Sequence, residues 1–147
     1  MLPLLPNKFR VVGWIALLAG SILGIIRFYF DIKPEFMNIK VFAIYSKYFE
    51  TKYFSVIDNH FSEETTALLL IIGLFLFSFT KEKVENDTVI SLRLKALLWA
   101  LAINTVFIAG SFLFVYGFIF INILVINVFT PFILYIIIFR ALQILKK

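Results

Sequence analysis

The 147 residues are 62% hydrophobic, with 19 Phe and only 16% charged residues, against about half apolar in ordinary globular chains. The absence of cysteine excludes disulfides, thiolate metal sites and cysteine nucleophiles. The net charge of +5 is spread in small groups beside apolar runs, not gathered into the basic stripe of a nucleic-acid binder, so the cations read as topology signals.

Crossing a hydrocarbon core of about 30 Å takes roughly 20 helical residues. Val11 to Ile26 is free of charge and continues past Arg27 to Phe30, which predicts a first span over about residues 10–30, with Arg27 snorkelling to the headgroups. Lys8 and Arg10 followed by "LLAGS" have features of a secretory signal, with Ser21 where a lipobox needs cysteine. The apolar run extends well beyond that point, so an uncleaved helix is expected. Ala16, Gly20 and Gly24 recur every four residues, a stripe that lets a second helix approach closely, from the same chain or from another copy.

Residues 31–61 form the sizeable polar interval. "IKVFAIYS" and "KYFSVIDN" are rich in β-branched and aromatic residues, which predicts a β-hairpin turning within "KYFETK". A lone hairpin is marginal in water, so it should lie against headgroups or helix ends, where Tyr45, Tyr48, Tyr53 and Phe54 suit an interfacial belt. His60 and Glu64 stand one helical turn apart, but two ligands fall short of the three that zinc requires, and no metal site is expected. Ser62 followed by Glu63 and Glu64 reads as the N-cap of a short second helix over about 62–80.

The next stretch places seven charged residues within positions 81–95. Glu85 and Asp87 suit the start of a third helix, over about 88–115. On a wheel of about 100° per residue Ile90, Leu94 and Leu97 share one side, and Arg93 and Lys95 fall on opposite flanks. This elbow offers Arg93 and Lys95 to lipid headgroups, or a mixed-charge surface to a protein partner. Residues 96–139 are 44 uncharged positions, long enough for two helices. The turn is expected near Tyr116 and Gly117, with Asn122 as the competing site, and the fourth helix over about 118–142. Pro131 after Thr130 should kink that helix, the threonine hydroxyl satisfying freed backbone groups.

The polar residues inside the spans are Ser78, Asn104, Thr105, Ser111, Tyr116, Asn122, Asn127 and Thr130, and none is an acid. A coupled carrier needs a titrating group there. Asn104 and Asn127 therefore read first as an interhelical hydrogen bond and second, with Asn122, as the lining of a pore. No Ser, His and acid set, nucleophile elbow or phosphate-binding glycine loop can be assembled, so no catalytic residue or cofactor is expected.

The segments "FAIYS", "TKYF" and "KEKVENDTVISLRLKALLWA" resemble those of small four-helix membrane proteins of Bacteroidota-type bacteria, a group without an assigned activity. The resemblance implies a four-helix membrane fold and a regulatory partner, and it assigns no site residue.

The expected architecture is an all-α integral membrane protein, one domain over 1–147, with four transmembrane helices and a β-hairpin in the first extracytoplasmic loop. Nine Lys and Arg fall on the face that holds both termini and the elbow, and five on the other. The positive-inside rule then predicts a multi-pass protein of the bacterial inner membrane with N and C termini cytoplasmic. The leading functional reading is a non-enzymatic, regulatory-type membrane protein acting through protein contacts at the elbow or the outer loop, with membrane lipid as its surroundings and homo-oligomers open. The second is a small oligomeric channel or transporter. The third, a lipid-active enzyme, would have only His60, Glu63 and Glu64 to use.

Overall fold

The structure is a computed structural model that describes residues 4–47 and 51–146. Its elements in chain order are α1 (Phe9–Gly24), a π turn (Ile25–Tyr29), a 3-10 turn (Glu35–Met37), β1 (Asn38–Lys47), β2 (Thr51–His60), α2 (Ser62–Phe79), α3 (Asp87–Phe114), α4 (Phe118–Asn127) and α5 (Thr130–Leu145). The chain divides into two compact units, one of residues up to Leu17 and from Leu70 onward, the other from Leu18 to Leu69.

Among the described residues three helices are long and apolar enough to cross a membrane: Phe9–Tyr29, Ser62–Phe79 and Asp87–Phe114. The pair α4 and α5, bent by 47°, makes a fourth if it counts as one span. At 1.5 Å per residue the 18 residues of α2 measure about 27 Å, slightly under a hydrocarbon core, and the 28 of α3 about 42 Å, well over it.

The first unit is built around α3 and α5. Leu92, Ala96 and Ala100 on α3 meet Tyr135 and Phe139 on α5 in one buried cluster. Ala96 and Ala100 are fully buried, while large side chains such as Leu98, Trp99 and Val106 are exposed. That pattern is compatible with the packing of helices in lipid, where large apolar residues gain nothing by leaving the solvent and small ones let backbones approach. The start of α1 packs on the end of α2 in the same way. A Cβ placed on Gly73 would lie 2.7 Å from Leu17 Cγ and 2.9 Å from Leu17 N, and one on Gly13 3.2 Å from the Gly73 carbonyl oxygen. Trp14 meets Phe77 edge-on with ring centroids 5.3 Å apart. The strip ahead of α1 pairs with the end of α2, Leu5 N–H donating to Phe79 O and Lys81 N–H to Leu5 O, both at 2.9 Å.

Asn86 caps α3, its Oδ1 accepting from Val89 N–H at 2.9 Å; Asp87 lies in the first turn as expected, whereas Glu85 precedes the helix and bonds Arg93. Helix α3 stops at Val115, which is extended, and Gly117 has φ 77° and ψ −153°, a conformation open essentially to glycine alone. The break between α4 and α5 falls at Val128 and Phe129, just before Pro131 in the first turn of α5. Proline costs no bond there, and Thr130 Oγ1 donates to Ile126 O at 3.1 Å across the bend.

The second unit holds the antiparallel hairpin, registered from Asn38 opposite His60 to Lys47 opposite Thr51. Tyr48, and with it part of the expected turn, lies outside the described residues. Phe42, Ile44, Phe54 and Val56 are all largely exposed, with the rings of Phe42 and Phe54 6.4 Å apart. With the exposed Tyr53 the hairpin offers an aliphatic and aromatic surface, while the side chain of Tyr45 lies outside the described residues. Phe54 holds φ 47°, an uncommon conformation for a bulky residue. In α2, Thr66 Oγ1 donates to Ser62 O at 2.8 Å, and Thr66 Cγ2 would stand 3.3 Å from a Cβ on Gly24.

Candidate functional site

The one strongly polar interior among the described residues sits where α2 ends and α3 begins. Arg93 is 4% exposed, and its five N–H groups all have acceptors. Nε donates to Glu85 Oε1 at 2.9 Å and Nη2 to Glu85 Oε2 at 3.2 Å. The rest go to neutral oxygens: Nη1 to Ser78 O at 3.2 Å and Tyr135 Oη at 3.0 Å, Nη2 to Thr80 O at 2.8 Å. The guanidinium also lies 4.8 Å from the centre of the Phe139 ring, which itself stacks on Tyr135. This corrects the expectation that Arg93 faces headgroups. It turns inward because α2 ends in carbonyls without helical partners and because the planar fork can serve several acceptors at once. Lys95, by contrast, is exposed.

A second ion cluster pins the same elbow. Glu82 accepts both Nη groups of Arg10, at 2.7 and 3.0 Å, and forms an ion pair with Arg140 Nη2 at 3.2 Å. Phe77 lies under both guanidinium groups, 4.9 Å from Arg10 and 5.8 Å from Arg140. Asn7 Nδ2 donates to Lys81 O at 2.8 Å, and Glu82 N–H donates to Glu85 Oε2 at 2.8 Å. The elbow is therefore fastened to α1, α3 and α5 by its two glutamates, and the side chains of Lys81, Lys83 and Val84 are left outside.

A cavity of about 250 Å³ lies where Leu4 and the end of α2 at Ser78 and Phe79 meet α3 and α5, which line it with Arg93, Leu94, Leu97 and Leu101 and with Pro131, Phe132 and Tyr135. The Ser78 hydroxyl is buried and has no hydrogen-bond partner.

The remaining sequence-predicted residues fall as follows. Ala16 and Gly20 are buried and Gly24 half-buried; a further close glycine contact on α1, at Gly13, was missed, although Gly13, Ala16 and Gly20 are spaced three and four apart, as one helix face requires. Asn127 Nδ2 donates to Asn104 Oδ1 at 2.9 Å, joining α4 to α3, whereas Asn122 is exposed on α4. Thr105, Ser111 and Tyr116 each donate to a carbonyl within three or four residues. His60 is engaged at both ring nitrogens, Nδ1 with Ser62 Oγ at 2.7 Å and Nε2 with Pro34 O at 3.2 Å, and Glu64 accepts from Asn59 at 2.8 Å. Arg27 is held by Asp31 at 2.5 Å and Glu63 at 2.6 Å. Comparison with protein-family models, curated proteins and solved structures finds no match to this chain.

Proposed function

We propose that the chain is a multi-pass protein of a bacterial inner membrane, crossing four times with α4 and α5 as one broken span, and that it acts without catalysis by presenting its cytoplasmic elbow to another protein. The observation that carries this reading is the double fastening of the elbow: Glu82 on Arg10 and Arg140, Glu85 on Arg93. A loop that served only to connect two helices would need no such anchorage. A loop held by ion pairs from three helices presents Lys81, Lys83 and Val84 in a fixed arrangement, which lowers the ordering cost of binding. Both termini and the elbow carry the larger share of cations, which favours the cytoplasmic side for all three.

Two observations weigh against the other readings. Asn104 and Asn127 satisfy each other, which leaves the pair less to offer a permeating solute. The His60 ring nitrogens are already engaged, which weighs against acid–base work at the interface.

Because the chain has no cysteine, single cysteines at Val56 and Val84 give a clean topology test. In spheroplasts an impermeant maleimide should label position 56 while position 84 reacts only after lysis; equal access would overturn the topology. A photo-crosslinking residue at Val84 should then trap one discrete partner in living cells, and the adduct should disappear in Glu82→Gln. Failure to trap any protein from position 83 or 84 would overturn the contact reading.

A further inference from the structure

We infer that Arg10 and Arg140, with Glu82 between them, form a binding site for the phosphate of an anionic phospholipid headgroup. The inference rests on the membrane reading above and goes beyond it, since that reading calls for no particular lipid.

Charge is the first observation. Among the described residues Arg27 is paired with two acids, Asp31 and Glu63, and Arg93 with one, Glu85, whereas Arg10 and Arg140 share Glu82 alone. Their Nη2 atoms lie against the same carboxylate oxygen, Glu82 Oε1, at 3.0 and 3.2 Å. Two guanidinium groups on one carboxylate leave a formal positive surplus, and Glu85, the next acid along the elbow, is held by Arg93. Lys8 and Lys81 add to the surplus, being exposed on two strips that Asn7 Nδ2 joins at the Lys81 carbonyl.

Unpartnered donors are the second. Arg10 donates to Glu82 from Nη1 and Nη2 and has no partner at Nε. Arg140 donates from Nη1 to Gln143, has no partner at Nε, and meets Glu82 at Nη2 only as an ion pair. The buried side-chain polar atoms without a partner, among the described residues, are Arg27 Nε, Ser55 Oγ and Ser78 Oγ, so the open N–H groups of Arg10 and Arg140 are not sealed inside the protein. Phe77 lies beneath both guanidinium groups, at 4.9 and 5.8 Å. With Glu82 at their edges and Phe77 below, the two forks are ordered before a ligand arrives, which lowers the cost of binding it. Planar forks of this kind match the paired oxygens of a phosphate.

Placement is the third. Arg10 lies in the first turn of α1, Phe77 in the last turn of α2 and Arg140 near the end of α5. In a bilayer these three ends would stand at the phosphate level of the inner leaflet, where basic pockets between spans take anionic headgroups. A phosphodiester without a second charge, as in phosphatidylglycerol, complements the surplus at Glu82. In phosphatidylcholine the ammonium would face the same cations, so the zwitterion is the poorer ligand.

The test uses the full chain in neutral detergent, with bound lipid read by native mass spectrometry over titrations of phosphatidylglycerol and phosphatidylcholine. Phosphatidylglycerol should bind about tenfold more tightly, and Arg140→Gln should weaken it about tenfold, the worth of one charge-assisted bond. Arg140→Lys keeps the charge without the fork and should recover only part of that loss. Lys33→Gln removes the same charge from an exposed lysine of the second unit and should leave binding unchanged. Phosphatidylglycerol should also raise the melting temperature of the parent and not that of Arg140→Gln, which separates a lost ligand from a lost fold. Inorganic phosphate in large excess should leave the lipid in place; displacement by it would assign the site to a soluble phosphate and overturn the lipid. Equal binding of the two lipids, full binding by Arg140→Gln or Arg140→Lys, or an equal loss in Lys33→Gln would overturn the site and leave the membrane reading intact. A chain that stays soluble and compact without detergent would overturn the membrane reading itself.

Discussion

Arg93 gives the sharpest test of how the elbow is held. Two of its five N–H groups go to Glu85 and three to neutral oxygens on α2, its C-terminal flank and Tyr135. Arg93→Met removes all five and leaves Glu85 with the Glu82 amide as its remaining partner; breaking a buried pair from one side costs about 3–5 kcal/mol. Glu85→Gln keeps an acceptor for the guanidinium and all three neutral bonds, so its cost is that of weakening charge-assisted bonds, about 1.5–3 kcal/mol. Arg93→Lys keeps the charge but loses the fork, and should fall in the same range as Glu85→Gln. The double variant Arg93→Met with Glu85→Gln should cost less than the two singles together, by about 0.5–3 kcal/mol, because the stranded carboxylate is gone. Unfolding by SDS titration in mixed micelles, followed by intrinsic fluorescence, measures all four. The ordering decides the argument: if Glu85→Gln costs as much as Arg93→Met, the guanidinium acts as a counter-ion and not as a clamp on the end of α2. An Arg93→Met variant within about 0.5 kcal/mol of the parent, the ordinary surface range, would refute both.

The glycines separate three physical causes. Gly73→Ala should cost about 1–3 kcal/mol by overpacking, because the new Cβ meets the Leu17 backbone nitrogen at 2.9 Å, and loss of thermal stability in detergent checks it. Gly110→Ala, where a Cβ meets nothing within 4 Å, should instead stabilise α3 by about 0.5–1 kcal/mol in the same assay. Gly117→Ala also meets no atom, yet it must hold φ 77°, so about 1–3 kcal/mol of strain should appear without any steric contact. Asn104→Leu should lose only the bond to Asn127, about 0.6 kcal/mol, and purified protein in liposomes should conduct neither ions nor solutes before or after the change. A flux that the leucine abolishes would revive the channel reading.

The helices, the hairpin, the break at Gly117 and the bend beside Pro131 were legible because each depends on local signals: uncharged length, β-branched runs, and the special backbones of glycine and proline. The inward face of α3 was not. The wheel put Ile90, Leu94 and Leu97 together as the apolar side, and in water that side would be buried. Here Leu94 and Leu97 are exposed while Ala96 and Ala100 are fully buried. In an apolar solvent hydrophobicity does not distinguish inside from outside, so the informative residues are the small ones. Ala96 and Ala100 form the same four-residue repeat that was noticed on α1, and Leu92 continues it one turn earlier.

The ionic site was missed for a related reason: all cations were read as one class. Each of the four arginines, Arg10, Arg27, Arg93 and Arg140, is bonded to an acid, whereas the described lysine side chains at positions 8, 33, 40, 81, 83, 95 and 146 are exposed. An ammonium is a strongly hydrated point charge that best remains in water, while a guanidinium is weakly hydrated and planar and can lie against Phe77 or Phe139 while its edge meets carboxylates and carbonyls. In a chain of this composition the choice of arginine is therefore itself a positional signal. It marks the places where a positive charge must work against apolar surface, and the lysines mark where it can be left to the solvent. The acids carry the complementary message. Glu82 and Glu85 add nothing to the positive-inside bias of the elbow, which counts cations, and they are explained once Arg10, Arg93 and Arg140 are seen to converge on them.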